Sequence, residues 1–497
     1  MKIQFCGAAR TVTGSCYFLD LGYTKILVDC GAFQGSDELD QLNREDFPFD
    51  PAEIEYLLLT HAHFDHCGRV PQLVRKGFKG RIISTQPTRD LAEIVLMDAA
   101  NLQEEEYQRW LTRQKRESEE HYYADQQGYG KGGSQKTNGN SYWPHAEEGS
   151  LYENKEPLFT TEDVTKAMGL FDIYPFGNSV VLRDGLEFRM RDSGHILGSA
   201  IFEVWVKNSS GTQRKIVFSG DLGQQGQRIV RDPDMLREAD YVLIESTYGN
   251  RLHKSKDETV KEFLKVIKDA QKDGGNILIP TFAIERAQEI IYELNVAIEN
   301  KLLSGLEVYL DSPMAMKATE VFRKYPTFYD EDARRLLEKG DDPFHFEGFH
   351  TVESADESRR LIGLNGIVIL AGSGMCNGGR IVHHLANNIE KKNTHIVFVG
   401  YQVKGTLGRR IVDGEPVVRI KGREVDVRAQ VHTLGGFSAH ADSRDLRYWL
   451  RGFGHSPKTV FVMHGEESIA MGFAANITEE LQLKSYVPYL NEVVELD

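Results

Sequence analysis

The segment Thr60-His61-Ala62-His63-Phe64-Asp65-His66 concentrates metal-binding side chains at the end of an apolar run, residues 54–59, whose pattern predicts a buried strand. In extended chain, residues two apart point the same way, so His61 and His63 can grip one ion. Asp65 and His66, past a bend, can reach a second. Single histidines are usually core or surface residues, but three with an aspartate at this spacing have no ordinary structural explanation.

Further ligands stand where apolar strands run out into glycine-rich loops. These are His195 in Ser193-Gly194-His195-Ile196-Leu197-Gly198, Asp221 in Ser219-Gly220-Asp221-Leu222-Gly223, and His464 in Met463-His464-Gly465-Glu466. The set divides into His61, His63 and His195 for one ion and Asp65, His66 and His464 for the other, with Asp221 as a bridging carboxylate. Nitrogen and oxygen donors without sulfur suit two zinc ions, with manganese or iron as alternatives. Two such ions about 3.5–4 Å apart share a hydroxide and clamp the attacking and leaving oxygens of a phosphodiester, so the reaction class is metal-assisted hydrolysis. Asp29, at the end of the strand containing Ile26-Leu27-Val28, is either a turn aspartate or a carboxylate that orients a metal ligand.

The elements that position these residues read as follows. Residues 2–5, 15–21 and 25–30 predict strands joined by glycine-containing turns, followed after the histidine motif by helices over 71–77 and around Leu91, Val95, Ala99 and Leu102. From about residue 103 to 154 the chain becomes charged and then rich in Gly, Ser, Asn, Gln and Tyr, which reads as a flexible insertion centred on about 110–150. Tyr122, Tyr123, Tyr129, Tyr142 and Trp143 within it could instead stack on bases or a partner. Strand signals resume at 179–182, 186–190, 216–218 and 241–244. Beyond them strands and helices alternate regularly, starting with a capping-box pair, Ser255 and Glu258, and predict a parallel sheet covered on both faces.

Three strand exits in that α/β region are rich in glycine: Asp311-Ser312-Pro313, Gly372-Ser373-Gly374-Met375 with Gly378-Gly379-Arg380, and Gly400-Tyr401-Gln402 leading to Lys404-Gly405-Thr406-Leu407-Gly408-Arg409-Arg410. Free backbone amides beside hydroxyls and guanidinium groups suit phosphates, which makes Ser373, Gly374, Arg380, Lys404, Arg409 and Arg410 candidate substrate contacts. A tight turn explains any one exit equally well, and Asp413, Glu415, Glu424 and Asp426 offset the basic run enough for a solvated hairpin.

At 497 residues, 40% of them hydrophobic, the chain can build two large domains. The 59 Lys and Arg against 74 Asp and Glu leave a formal charge of −15, which argues against an unspecific nucleic-acid coat or a membrane-surface protein. Bound cations would neutralise some of those carboxylates, and basic clusters can persist locally. The five cysteines form no Cys-x-x-Cys pair, so neither a disulfide framework nor a thiolate zinc site is indicated and a reducing cytoplasm is expected. The chain begins directly in a strand, without the apolar stretch of a signal peptide or membrane span, so a soluble intracellular protein is expected.

The combination of Asp29, His61-x-His63-x-Asp65-His66, His195 and Asp221 resembles the motifs of the metallo-β-lactamase superfamily. Glu245, His440 in Phe437-Ser438-Ala439-His440, and His464 resemble the three additional motifs of its β-CASP branch, which processes nucleic acids. Gly7-Ala8-Ala9-Arg10-Thr11, Pro280-Thr281-Phe282-Ala283 and Gly405-Thr406-Leu407-Gly408-Arg409-Arg410 extend the likeness over nearly the whole chain. The resemblance implies an αββα sandwich with a parallel-sheet α/β unit inserted into it: 1–248 and 438–497 forming the metallo-β-lactamase domain, 249–437 the β-CASP domain. It also implies a zinc-dependent ribonuclease, endo- or 5′-exonucleolytic, with RNA in the cleft between the domains. His440 would then contact the scissile phosphate and assist the leaving oxygen, with Glu245 supporting it. No additional RNA-binding domain is evident after the α/β unit, so affinity is expected from the cleft itself or from a second subunit in a homodimer. DNA, a small thioester or lactam, or a metal-free scaffold role are the competing readings.

Overall fold

The structure is a computed structural model that describes residues 1–126, 156–207, 211–454 and 457–497. Its first sheet has seven strands in the order β22-β1-β2-β3-β4-β5-β6. They are β1 (Lys2–Phe5), β2 (Tyr17–Asp20), β3 (Lys25–Val28), β4 (Tyr56–Leu58), β5 (Arg81–Ser84), β6 (Phe171–Ile173) and the last strand of the chain, β22 (Val493–Glu495). The second sheet, also seven-stranded, runs β21-β20-β11-β10-β9-β8-β7. It comprises β7 (Ser179–Arg183), β8 (Leu186–Asp192), β9 (Ala200–Lys207), β10 (Gln213–Phe218), β11 (Tyr241–Glu245), β20 (Thr459–Met463) and β21 (Ser485–Tyr486).

Strand alternation dictates how these sheets stack. In β8 every second residue (Leu186, Phe188, Met190) is buried, and these side chains meet Ile3, Phe5, Leu19, Ile26 and Val28 of the first sheet in one apolar layer. The opposite faces, also apolar, take helices. Leu27, Leu57 and Ile82 pack under helices carrying Leu73, Leu91 and Val164, while Val217, Val242 and Val460 pack under Leu446, Leu450, Phe473 and Ile477. The result is a four-layer αββα sandwich.

The third sheet draws all its strands from between β11 and β20. Its order is β14-β13-β15-β12-β16-β19, from β12 (Ile277–Pro280), β13 (Val308–Asp311), β14 (Phe349–Thr351), β15 (Val368–Ala371), β16 (His395–Phe398) and β19 (Gln430–Thr433). Every pairing in it is parallel, and β12, β15 and β16 are buried throughout, as a sheet covered on both faces requires. Helix Lys256–Asp273 leads into it, with the Ser255–Glu258 capping box formed at its start and left-handed Gly274 at its end. The basic stretch beyond 404 includes a two-stranded hairpin, β17 (Val417–Ile420) with β18 (Arg423–Asp426), in which Arg419 faces Glu424.

The expected flexible insertion is corrected in its first part. Helix Gln86–Gln126 continues through residues 103–126, because that stretch is built of Glu, Gln, Arg and Lys with no glycine or proline, and Glu105 pairs with Arg109 one turn on at 3.3 Å. The rest of that insertion, and the side chains of its aromatic residues, lie outside the described residues. Among the described residues no helix is long and apolar enough to cross a membrane.

Candidate metal centre

Each ligand candidate sits at a strand end on the same rim of the sandwich. The motif after β4 turns into a short helix, Phe64–Cys67, so Asp65 and His66 swing away from the extended His61 and His63. His195 and Asp221 follow β8 and β10, and His464 follows β20 directly. Parallel pairing of β11 with β20, in the register Glu245↔Met463, brings the ends of those two strands together across the whole inserted unit. Asp29 and His464 both adopt left-handed backbone, with φ of 58° and 49°, a strain that positions their side chains inward.

Two donor groups result. His63 Nδ1 lies 3.2 Å from His61 Nε2 and 3.1 Å from His195 Nε2. His464 Nε2 lies 3.2 Å from His66 Nε2 and 3.3 Å from Asp65 Oδ2. Between them, Asp221 Oδ2 is 3.5 Å from His61, 3.4 Å from His66 and 3.6 Å from His195, a bridging position.

The remaining ring nitrogens decide what these contacts mean. His66 donates Nδ1–H to Asp29 Oδ2 at 2.7 Å, and His195 donates its Nδ1–H to the Ala439 carbonyl at 3.2 Å. Thr60 donates its hydroxyl to Asp29 Oδ2 at 2.8 Å, leaving Thr60 Oγ1 to accept from His61 Nδ1 at 3.1 Å. The Nε2 atoms of His61 and His195 are then bare lone pairs facing Asp221 Oδ2, itself an acceptor. They cannot hydrogen-bond to one another, and Asp221 Oδ1 is buried with no hydrogen-bond partner. A site of converging acceptors fits cations, and nitrogen with carboxylate oxygen is a zinc-type donor set.

Electrostatics agree with that fit at the first donor group, and at the second they show a histidine that must give up a proton to bind a cation. Burial holds His61 and His195 well below the ordinary imidazole range and lowers His63 to about 4, keeping all three neutral and able to coordinate. Burial opposes charge on His66 and on Asp221 too, but their mutual contact, with Asp29 and His464 beside them, holds His66 well above its usual range and Asp221 well below.

One histidine at the centre belongs to neither group. His440 Nδ1 donates to Glu245, 3.2 Å from Oε1 and 3.3 Å from Oε2, and lies 3.9 Å from Asp221. Glu245 is fixed by the Leu222 and Thr247 amides at 2.8 and 3.3 Å. Burial works against charge on His440, yet Glu245 and Asp221 raise it to about 9. The His440 side chain is 22% exposed where Glu245 is fully buried, so the imidazole is the member of this pair that a substrate can reach.

Comparison with known sequences follows the same lines. Residues 9–127 match the metallo-beta-lactamase superfamily, 287–411 the Beta-Casp domain, and 424–488 the Zn-dependent metallo-hydrolase RNA specificity domain. Ribonuclease TTHA0252 of Thermus thermophilus is 39% identical over 475 residues, 95% of each chain. The chain belongs to the β-CASP branch of the metallo-β-lactamase superfamily. A relative from Methanocaldococcus jannaschii, transcription termination factor FttA, is 28% identical over 98% of this chain and 70% of its own. A crystal structure of a protein of unknown function from Enterococcus faecalis V583 shares the fold, with a TM-score of 0.53 at 11% identity over 100% of this chain and 99% of that one.

As a β-CASP protein the chain uses its glycine-rich strand exits unevenly. Arg380 is committed inside the α/β unit, bonded to Asp311 at 2.5 Å and to the Val352 and Glu353 carbonyls at 2.8 and 2.7 Å, so its guanidinium supports the fold rather than facing the cleft. Arg409 forks onto Asp413 at 2.8 and 2.9 Å, and Arg410 reaches Glu415 at 2.8 Å. Ser373 bonds back to the Gly378 carbonyl, the Gly374 carbonyl accepts from Gln402, and Lys404 is exposed. The loop carrying Lys404 approaches the centre through Tyr401, which donates to Glu466 at 2.8 Å and packs edge-on against Tyr248, itself 6.2 Å from His440. Thr60, Tyr248, Tyr401 and the Ala439 carbonyl are the site groups that motif reading missed. Their only sequence signal is adjacency to His61, Glu245, Gly400 and His440.

Proposed function

We propose that this chain is a zinc-dependent ribonuclease that hydrolyses RNA phosphodiester bonds, with RNA lying between the sandwich and the inserted α/β unit and two zinc ions held by the donor groups described above. The observation that carries this reading is His440 on Glu245, placed beside the five-histidine centre with its imidazole partly exposed. A lactam or thioester hydrolase would leave the inserted α/β unit without a role. The name of the 39% identical relative, a ribonuclease, points the same way.

Bound zinc would supply Lewis-acid charge opposite the phosphate and its attacking oxygen. The chain's own residues do the rest. Asp29, Thr60 and the Ala439 carbonyl fix the tautomers of His66, His61 and His195. Asp221 holds the two groups in register, and Asp65 anchors His464. Glu245 binds the Nδ1 proton of His440 and keeps the ring cationic, so Nε2–H can hydrogen-bond a phosphate oxygen and deliver its proton to the leaving oxygen. The reducing setting implied by five unpaired buried cysteines suits a cytoplasmic enzyme.

The test is incubation of zinc-replete protein with end-labelled RNA and DNA of one sequence and, in parallel, a model thioester. RNA cleavage with little turnover of the other two is expected, and product length separates endonuclease from 5′-exonuclease. Preferential turnover of DNA or the thioester would overturn the assignment.

A further inference from the structure

The loop that carries His195 is tied down almost entirely by its own neighbourhood. Ser199 Oγ accepts the amides of His195 and Ile196, both at 3.2 Å, and Asp192 accepts that of Gly194 at 3.0 Å. Thr85 and Thr88 donate to the Gly198 carbonyl at 2.7 and 2.9 Å. The exception is Leu197, whose amide donates at 3.1 Å to Glu285 Oε2, a carboxylate from the inserted α/β unit.

Glu285 is placed for this contact at a cost to itself. It stands at the N-terminus of helix Arg286–Glu299 with φ 67° and ψ −56°, a conformation side-chain-bearing residues rarely adopt, and it makes no capping bond to its own helix. It is 2% exposed, and its other oxygen, Oε1, is buried with no hydrogen-bond partner. A residue strained in backbone, idle as a cap and buried as an acid is held for the one bond it does make.

We infer that Glu285 is a positioning residue through which the inserted unit holds the His195 loop, and with it one half of the metal centre, in its binding geometry. The inference rests on the donor assignment made under the proposed function, not on the substrate. Burial lifts Glu285 to about 8, so near neutral pH it is largely the uncharged acid, whose carbonyl oxygen accepts as an amide oxygen would. Glutamine should therefore replace it, whereas glycine relieves the backbone and removes the acceptor.

The experiment compares Glu285→Gly and Glu285→Gln in the full chain. Zinc affinity is read by competition with a chromophoric chelator, and exchange of the Leu197 amide by hydrogen–deuterium exchange of the metal-free protein. Expected are a folded Glu285→Gly protein with zinc binding weakened at least about tenfold at one equivalent and faster exchange around Leu197, and a Glu285→Gln protein near the parent in both. Parental zinc affinity in Glu285→Gly, or equal loss in Glu285→Gln, would overturn the inference. So would a Glu285→Gly chain that fails to fold beside a folded Glu285→Gln one, since the contact would then hold the fold and not the loop. None of these readouts involves RNA, so failure of the ribonuclease assignment would leave them standing.

Discussion

Replacing Asp29 with asparagine tests the metal centre while leaving its ligands in place. At φ 58° the position accepts asparagine without backbone penalty, and the change is nearly isosteric. Asp29 has acceptor work for both oxygens. Oδ1 takes the Thr60 amide at 2.8 Å, and Oδ2 takes the Thr60 hydroxyl at 2.8 Å and His66 Nδ1–H at 2.7 Å. An amide has one acceptor, so one side must fail. With NH2 toward Thr60 N, two donors meet in a buried site. With NH2 toward His66, the ring is driven to the tautomer that protonates Nε2, the nitrogen facing His464 and Asp221. Either way one buried donor is mispaired, costing about 1–3 kcal/mol. Loss of a partner that orients a ligating histidine typically weakens metal binding about 10–100-fold, and the two ranges agree. Competition against a chromophoric chelator should show one of two zinc equivalents weakened by that factor, with the metal-free protein still folded by circular dichroism and its thermal midpoint lowered by the same mispaired donor. Zinc affinity within about threefold of the parent would refute the assignment of Asp29 as the orienting carboxylate.

Three other perturbations follow from the same geometry. Asp65→Ala in zinc-replete protein should abolish RNA hydrolysis while circular dichroism shows the fold intact, and full activity there would be incompatible with the ligand set. Glu245→Gln removes the larger of the two charges that raise His440 to about 9, Asp221 being the other. A raised histidine stabilises fully below its unfolded value of about 6.5 and loses that contribution as pH climbs through the folded value. The metal-free parent should therefore lose stability as pH rises from about 6.5 to about 9, the Glu245→Gln protein should lose less because Asp221 remains, and an NMR titration of His440 should shift downward in the variant. Arg380→Met and Lys404→Ala should split cleanly. The first strips one of three partners from buried Asp311, which keeps His384 and Ser358, and costs roughly 1.5–3 kcal/mol in unfolding without altering KM for RNA, whereas the second leaves stability alone and lowers the salt slope of RNA binding by about one.

The donor cluster was legible because coordination chemistry demands particular side chains at particular spacing, and His61, His63, Asp65 and His66 meet that demand within six residues. The carboxylate Asp29 was legible as a choice between two roles, and only the 2.7 Å contact to His66 selects one. The Ala439 carbonyl carries no side-chain signature at all, so its hold on His195 waits on tertiary structure. Candidate phosphate contacts were the weakest reading for a related reason. The helical neighbours Asp413 and Glu415 hinted that Arg409 and Arg410 were already paired, but Arg380 finds Asp311 across a sheet, a partner no local pattern reveals. Residues 103–126 were misjudged because charge density was read as disorder, although Glu, Lys, Arg and Gln without glycine are equally a helix.

The position of the insertion explains why the chemistry clusters where it does. Because β11 and β20 are parallel and in register, the chain leaves the sandwich after Glu245 and returns to His464 on the same rim of the sheet. The inserted unit is therefore tethered over the end that carries every ligand. Two of its contacts with the sandwich, Tyr401 to Glu466 beside one donor group and Glu285 to Leu197 beside the other, reach both halves of the centre. A displacement of the insert large enough to admit RNA must loosen one of them. Since His440 sits on the returning segment and is held by Glu245 on the departing strand, its own bond survives such a movement only if the two strand ends stay paired. The acid is thus referenced to the paired strand ends of the sandwich and not to the inserted unit.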